Sequence, residues 1–517
     1  MKHLCAAFCA ALLLSAGPAR AQDVTLTAPD GAVEISGTLL GFDGEFYRLR
    51  TQYGELTVDG SGVLCNGPGC PNLENYVAEL QISGSATLGQ VLMPALLEAF
   101  ALRSGLNAER VTLYDRHFRY DLSDKADARL VGRFAFRLTN TDEGFADLLA
   151  DEADIVMAQR EIDTYEARLA ADIGLGDLRG PNRSRVLALD ALLPVVAPGN
   201  PVGTISFRDL ARVLAGQIDN WAELGGVDVP ISVHLREPGA ALAQVVETRL
   251  MGPPRLSLAS NVQRHATNDA LAQAVAADPF GLGMASFSKM GNTRPLVLTG
   301  TCGFSLRATR RTIKTEDYPL TVPMFLYLPA RRLPRLARDF LTFTRSPAAQ
   351  IVIRRAGFVD QAPEEVPVDL QGDRFANAIS AAGSDVSLAD LQQMVRVLTP
   401  MVRLTTSFRF EAGSSLLDAQ SRSNVQQLAR AIEAGQYDTR RLAFVGFSDG
   451  QGPAEANRGI AQRRADAVLT AVIAAAETVN LDALALETQA FGEQLPMACD
   501  DTAWGRQVNR RVEIWVQ

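Results

Sequence analysis

Between Arg441 and Ala476 the chain writes one local structure with little room for another. Leu442 and Phe444 alternate with Ala443 and Val445, the period of a strand. The polar stretch Ser448-Asp449-Gly450-Gln451-Gly452 breaks it. Ala461, Ala465, Val468 and Val472 then recur at helical spacing. Asp449 ends the strand, and Arg464 follows fifteen positions later (464 − 449), on the helix. A strand, turn and helix in this order bring that carboxylate and that guanidinium to the mouth of one crevice. The pair suits a ligand that carries an ammonium and a carboxylate on one carbon.

The rest of the chain sets the frame. Its 517 residues predict about three domains. A formal charge of −9 argues against a nucleic-acid partner, which calls for a basic stripe. His3, His117, His234 and His265 are scattered, and no HExxH or paired CxxC spacing occurs. No metal, cofactor or catalytic residue is expected. Ser83-Gly84-Ser85 is not a nucleophile elbow, and no histidine is placed as a general base.

Residues 1–21 read as a secretory signal peptide. Lys2 and His3 precede the apolar run Leu4–Leu14, and Ala19-Arg20-Ala21 is a small-residue cleavage site. Cleavage leaves Gln22 first and removes Cys5 and Cys9. Export permits disulfides. Cys65 and Cys70, in the loop CNGPGC, are the expected pair. For Cys302 and Cys499, pairing, free thiols and simple burial all stay open.

Residues 22–76 predict a small β domain of barrel-like type. Val33, Ile35 and Leu39 alternate, Asp43-Gly44 marks a hairpin, and Tyr47 and Leu49 resume the alternation. Residues 77–360 predict alternating strands and helices. There, Gly84-Ser85-Ala86-Thr87 opens a helix and offers backbone N–H groups to an anion. Residues 361–400, acidic and proline-bearing at DQAPEEVPVDLQGD, predict a linker, with a short helix over Leu388–Leu398. Residues 401–517 predict a βαβαββ order, hence an α+β domain.

Two resemblances follow from longer motifs. ADIVMAQREI (153–162), RVLALDALLPVVAPGNPV (185–202), ISFRDLARVLAGQIDNWAELGG (205–226), DPFGLGMASF (278–287), YPLTVPMFLYLP (318–329) and FLTFTRSPAAQIVIRRAGFV (340–359) together resemble the PstS-type phosphate-binding periplasmic receptors. The resemblance implies two α/β lobes joined by two crossing strands around a ligand cleft. Lobe one is expected at 77–188 and 288–360, and lobe two at 189–287. Gly84, Ser85, Thr87, Arg160 and Arg236 are the expected cleft residues, for a small anion or other solute. The family's hydroxyl-rich stretch is replaced here by Arg236-Glu237-Pro238-Gly239-Ala240-Ala241-Leu242, and Ala158-Gln159 stand where serines are expected before Arg160. A buried dianion needs nearly all of its hydrogen bonds. Sensing of an unidentified solute or scaffolding is therefore the expected use, and oxyanion delivery to an ABC-type uptake system the alternative.

SFRFEAGSSLL, VGFSDGQG, NRGIAQRRADAV, AFGEQ and GRQVNRRVEI resemble the OmpA-like C-terminal domain. That resemblance implies non-covalent binding of peptidoglycan through the meso-diaminopimelate of its stem peptide. Asp449 takes the ammonium and Arg464 the carboxylate. Asn457 hydrogen-bonds from the polar loop, and Arg510 borders the pocket. The chain thus reads as a non-enzymatic protein of the periplasm, associated with the cell wall or outer membrane. Another envelope protein is a further expected partner.

Overall fold

The computed structural model describes residues 23–517, apart from 181, 412, 413, 415 and 479–483. The expected signal peptide at 1–21 lies outside the described residues.

The N-terminal unit is a five-stranded antiparallel sheet. Asp23–Thr27 lies between Glu34–Phe42 and Leu64–Asn66, and the meander continues through Phe46–Thr51 to Gly54–Asp59. The strands Gly54–Asp59 and Leu64–Asn66 are its two edges, so the sheet is open. Val24, Leu26, Tyr47 and Leu49 form its small core, closed on one side by the Cys65–Cys70 disulfide. So small a core needs such a staple and a neighbour. The Asp43-Gly44 hairpin supplies the neighbour. Asp43 and Glu45 meet Arg332 at 2.5 and 2.8 Å, and Arg338 meets Glu45 at 2.5 Å.

The central unit is built on one long mixed sheet. Ala78–Ser85 pairs in parallel with Leu130–Thr139 and with Ile155–Ala158; the last is buried throughout, while Leu130–Thr139 buries alternate residues. Ser184–Val196 and Thr321–Tyr327 run antiparallel and cross between the lobes. The expected lobe boundary at 288 needs correction. Arg294–Pro295 pairs with the crossing strand at Val195 and Val196, and Val297–Thr299 pairs with Thr204–Ser206. These segments belong to lobe two, and the chain returns to lobe one only along Thr321–Tyr327. Short strands that add at an edge carry no signal of which lobe owns that edge.

The stretch expected as a linker is folded. Glu365–Val366 adds an edge strand to Val402–Arg409. Helices Gly372–Ser380 and Leu388–Leu398 follow. Ala378, Leu391, Met394 and Leu398 pack with Ala443, Val445, Phe447 and Trp515 on one face of the last sheet. That sheet runs Glu365–Val366, Val402–Arg409, Arg511–Val516, Arg441–Phe447 and Ala485–Gly492. Helices Ala419–Glu433 and Ala454–Ala475 cover its other face. Residues 361–400 thus supply a layer that the sheet would otherwise expose to water.

The C-terminal domain is joined to the receptor-like unit by a covalent bond and by buried charge. Cys302 and Cys499 form a disulfide between lobe two and the loop before the last helix. Asp317 lies buried between Arg403 at 2.9 Å and Arg409 at 3.2 Å. Ser407 Oγ donates to the Thr315 carbonyl at 2.8 Å.

Candidate functional site

Helix Ala454–Ala475 lies against strand Arg441–Phe447 because Gly446 lets it. A Cβ there would meet the Ala461 carbonyl oxygen at 2.1 Å. This close approach sets Arg464 beside the end of the strand, where Asp449 stands. Asp449 is nearly buried and accepts from Arg510 Nη1 at 2.6 Å and from the Gln451 N–H at 3.2 Å. The Arg464 guanidinium stands over the Phe410 ring, 5.2 Å from its centroid. Its Nη1 is sealed from solvent without a hydrogen-bond partner, and so is Ser448 Oγ. Burial first, and then the neighbouring Arg510, pull the Arg464 pKa below its ordinary value, while Asp449 works in the other direction. A buried guanidinium with idle donors is costly unless an acceptor arrives. The site thus joins an unsatisfied cation to a carboxylate held by a second cation.

Asn457 is placed otherwise than expected. It lies in the first turn of helix Ala454–Ala475, not on the polar loop, and is buried. Its Nδ2 donates to Glu493 Oε2 at 2.6 Å and to the Gly452 carbonyl at 3.4 Å. It braces the loop that carries Asp449. Glu493, within AFGEQ, is its partner and was not singled out in the sequence.

The residues expected in the receptor cleft do not converge. A cavity of about 1010 Å³ opens between the lobes and the C-terminal domain, and Arg160 lines it. Gly84, Ser85, Thr87 and Arg236 are not among its lining residues. Gly84 has φ +120, and a Cβ on it would meet the Met157 carbonyl oxygen at 2.3 Å, so strand packing explains it. Ser85 Oγ donates to Gln159 Oε1 at 2.7 Å. Thr87 is half-buried and makes no side-chain cap at the helix that follows. Arg236 donates to the His265 carbonyl at 2.6 Å, and burial lowers its pKa.

Arg160 is saturated. Its Nε donates to Asp142 at 3.0 Å, and its Nη1 to Glu166 at 2.8 Å and the Glu161 carbonyl at 3.0 Å. Its Nη2 donates to Asp142 at 2.6 Å and Glu166 at 2.7 Å. A guanidinium has five N–H groups, and all are taken. Glu166, then Asp142, hold it protonated well beyond its ordinary range. Asp142 also accepts from Gln244 Nε2 at 2.9 Å, across the cleft from lobe two. Carboxylates outnumber guanidiniums among the side chains lining the cavity. In sequence, Asp163-x-x-Glu166 is legible as a capping box, which the structure contains. That Glu166 also grips Arg160 is not.

Comparison with known proteins finds two family matches along the chain. The PBP superfamily domain matches residues 75–348, more than half of the chain, and the chain belongs to that superfamily. The OmpA family matches residues 409–510. Both are families of binding and structural proteins rather than of enzymes. Over 114 residues the chain is 29% identical to the probable lipoprotein YiaD of Escherichia coli (strain K12), covering 22% of this chain and 49% of that protein. The chain thus spans about half the length of that relative. Over 234 residues it is 23% identical to the protein SphX of Synechococcus elongatus, covering 43% of this chain and 67% of that one. A crystal structure of an ABC-type phosphate transport receptor from Vibrio cholerae aligns at 21% identity and a TM-score of 0.41, covering 54% of this chain and 99% of that one. No helix among the described residues is long and apolar enough to cross a membrane.

Proposed function

We propose that this chain is a cell-envelope protein of the periplasm that binds peptidoglycan through its OmpA-family domain. The ligand group is the zwitterionic end of diaminopimelate in the stem peptide. Arg464 receives its carboxylate in a paired contact, and Asp449 receives its ammonium. Arg510 presently neutralises Asp449 and borders the pocket, while Asn457 holds the loop. The observation that carries this reading is the buried Arg464 Nη1 with no acceptor among the described residues, beside a carboxylate at the strand end.

The receptor-like unit serves in this reading as a scaffold. Arg160, the arginine expected to take an oxyanion there, is already neutralised by Asp142 and Glu166, which occupy its donors. The same saturation speaks against oxyanion delivery to a permease.

Co-sedimentation with isolated peptidoglycan sacculi tests the wall-binding claim. The intact chain pellets with sacculi, and Arg464→Ala and Asp449→Ala stay in the supernatant with their circular dichroism unchanged. Equal pelleting of the intact chain and both variants would sink it.

A further inference from the structure

The seam between the receptor-like unit and the C-terminal domain gathers a second set of guanidiniums. Arg185 lies at the start of the crossing strand Ser184–Val196. Its Nη1 donates to the Leu341 carbonyl at 2.6 Å and reaches Thr344 Oγ1 at 3.4 Å. Its Nε is sealed from solvent and has no acceptor. Arg345 follows Thr344 in the turn between helices Arg335–Phe343 and Pro347–Arg355, and it is exposed. Arg430 comes from the C-terminal domain, on helix Ala419–Glu433. Residues 423, 427 and 430 share one face of that helix. Ser423 Oγ accepts from the Val186 N–H at 3.2 Å, and Gln427 donates to the Gln361 carbonyl, so the face that carries Arg430 lies on the receptor-like unit.

Among the described residues none of the three forms an ion pair. Glu433, the carboxylate near Arg430, instead accepts from the Thr478 N–H at 3.0 Å and Oγ1 at 3.1 Å. The cluster is electrostatically strained. Burial first, then Arg345 and Arg430, bring the Arg185 pKa down to about 9. At Arg345, crowding of the guanidinium by the surrounding protein comes first and Arg430 second in lowering the pKa. Like charges converging at a half-buried seam are destabilising unless an anion joins them. Planar guanidiniums match the oxygens of a phosphate-class group in paired contacts.

We propose that Arg185, Arg345 and Arg430 form a binding site for a multivalent oxyanion of the phosphate class. The ligand spans lobe one, the crossing strand and the C-terminal domain, and so fastens the wall-binding domain to the receptor-like unit. The site is separate from the cleft and from the Asp449–Arg464 pocket, and it stands whether or not the wall-binding reading holds. The group is either free in solution or the phosphomonoester of a lipid headgroup.

Calorimetric titration of the full chain with inorganic phosphate and with pyrophosphate, at fixed ionic strength, tests the site. The intact chain binds, and Arg345→Gln and Arg430→Gln each weaken the affinity about tenfold, as expected for loss of one charged donor. Neither side chain makes a hydrogen bond within the described structure, so folding should survive both changes. Flotation with phosphatidylcholine vesicles, with and without phosphatidic acid, separates the sources. Arginine-dependent capture by phosphatidic acid assigns a lipid headgroup, and binding of the free anion without capture assigns a soluble one. No binding in either experiment, or binding unchanged in both variants, overturns the site.

Discussion

Arg160 and Arg464 differ in how they are satisfied. Arg160 has every donor occupied, whereas Arg464 has an idle one in a buried place. The first is finished as structure, and the second leaves a donor for the proposed ligand. Spacing put Asp449 at a strand end and Arg464 on a helix face, since both are periodic signals, and the surrounding motifs suggested their role. The neutralisation of Arg160 was not legible, because Asp142 reaches it from another element and only the fold joins them. A further residue effect concerns Glu316, whose Oε1 is buried without a donor. Burial, and after it Asp418, raise its pKa to about 8, from 4.5. A raised carboxyl pKa stabilises the fold fully below the unfolded value, and that contribution is lost as pH rises through the folded one. Between pH 4.5 and 8, therefore, Glu316 makes the protein progressively less stable. Glu316→Gln should flatten this decline and raise stability at pH 9 by a few kcal/mol, on the order of magnitude set by such a shift. Denaturant titration across the range checks it; identical pH profiles for both proteins would refute it.

At the scale of elements, the segment 361–400 teaches most. Its first half, acidic with two prolines, carries the composition of a linker. Composition reports average exposure and misses the few apolar residues that are spaced to cover a sheet. Leu391, Met394 and Leu398 recur at helical spacing and are buried beneath Trp515. The helix Leu388–Leu398 was legible, and its target was not, because a short amphipathic helix does not say which surface it covers. Leu398→Ala in the full chain should cost about 2–4 kcal/mol, as a buried leucine does, and lower the unfolding midpoint of the C-terminal domain. A loss under about 0.5 kcal/mol, the size of surface effects, would show that this layer is dispensable. The alternation of the N-terminal strands was also legible from Asp43-Gly44 and its flanks. Its open edges were not, since closure depends on pairing between distant strands.

The whole molecule is held at three seams. The N-terminal hairpin is clasped by arginines of lobe one. The C-terminal domain meets lobe two through Cys302–Cys499 and the ring stack of Phe207 on Trp504, and lobe one through the Arg422–Glu161 pair. A domain that grips both lobes resists their opening. The order of the receptor-like unit and the C-terminal domain was legible because each has its own motifs. The seams were not, since Cys302 and Cys499 are 197 residues apart and sequence does not rank such pairings. A crosslink closing so long a loop stabilises by up to about 5 kcal/mol. The Cys302→Ser, Cys499→Ser double variant should therefore melt several degrees lower, with a broader or split transition as the domain comes loose. One sharp transition at the original temperature would mean that the buried ion pairs suffice.

The most direct test of the central claim is calorimetric titration of the intact protein with two muropeptides that differ at one position. One carries meso-diaminopimelate and the other lysine, which keeps the ammonium and lacks the carboxylate. The account predicts saturable binding of the first, at least tenfold weaker binding of the second (the scale of one charged hydrogen bond), and no difference between them once Arg464 is alanine. Equal affinity for both muropeptides in the intact protein would contradict it.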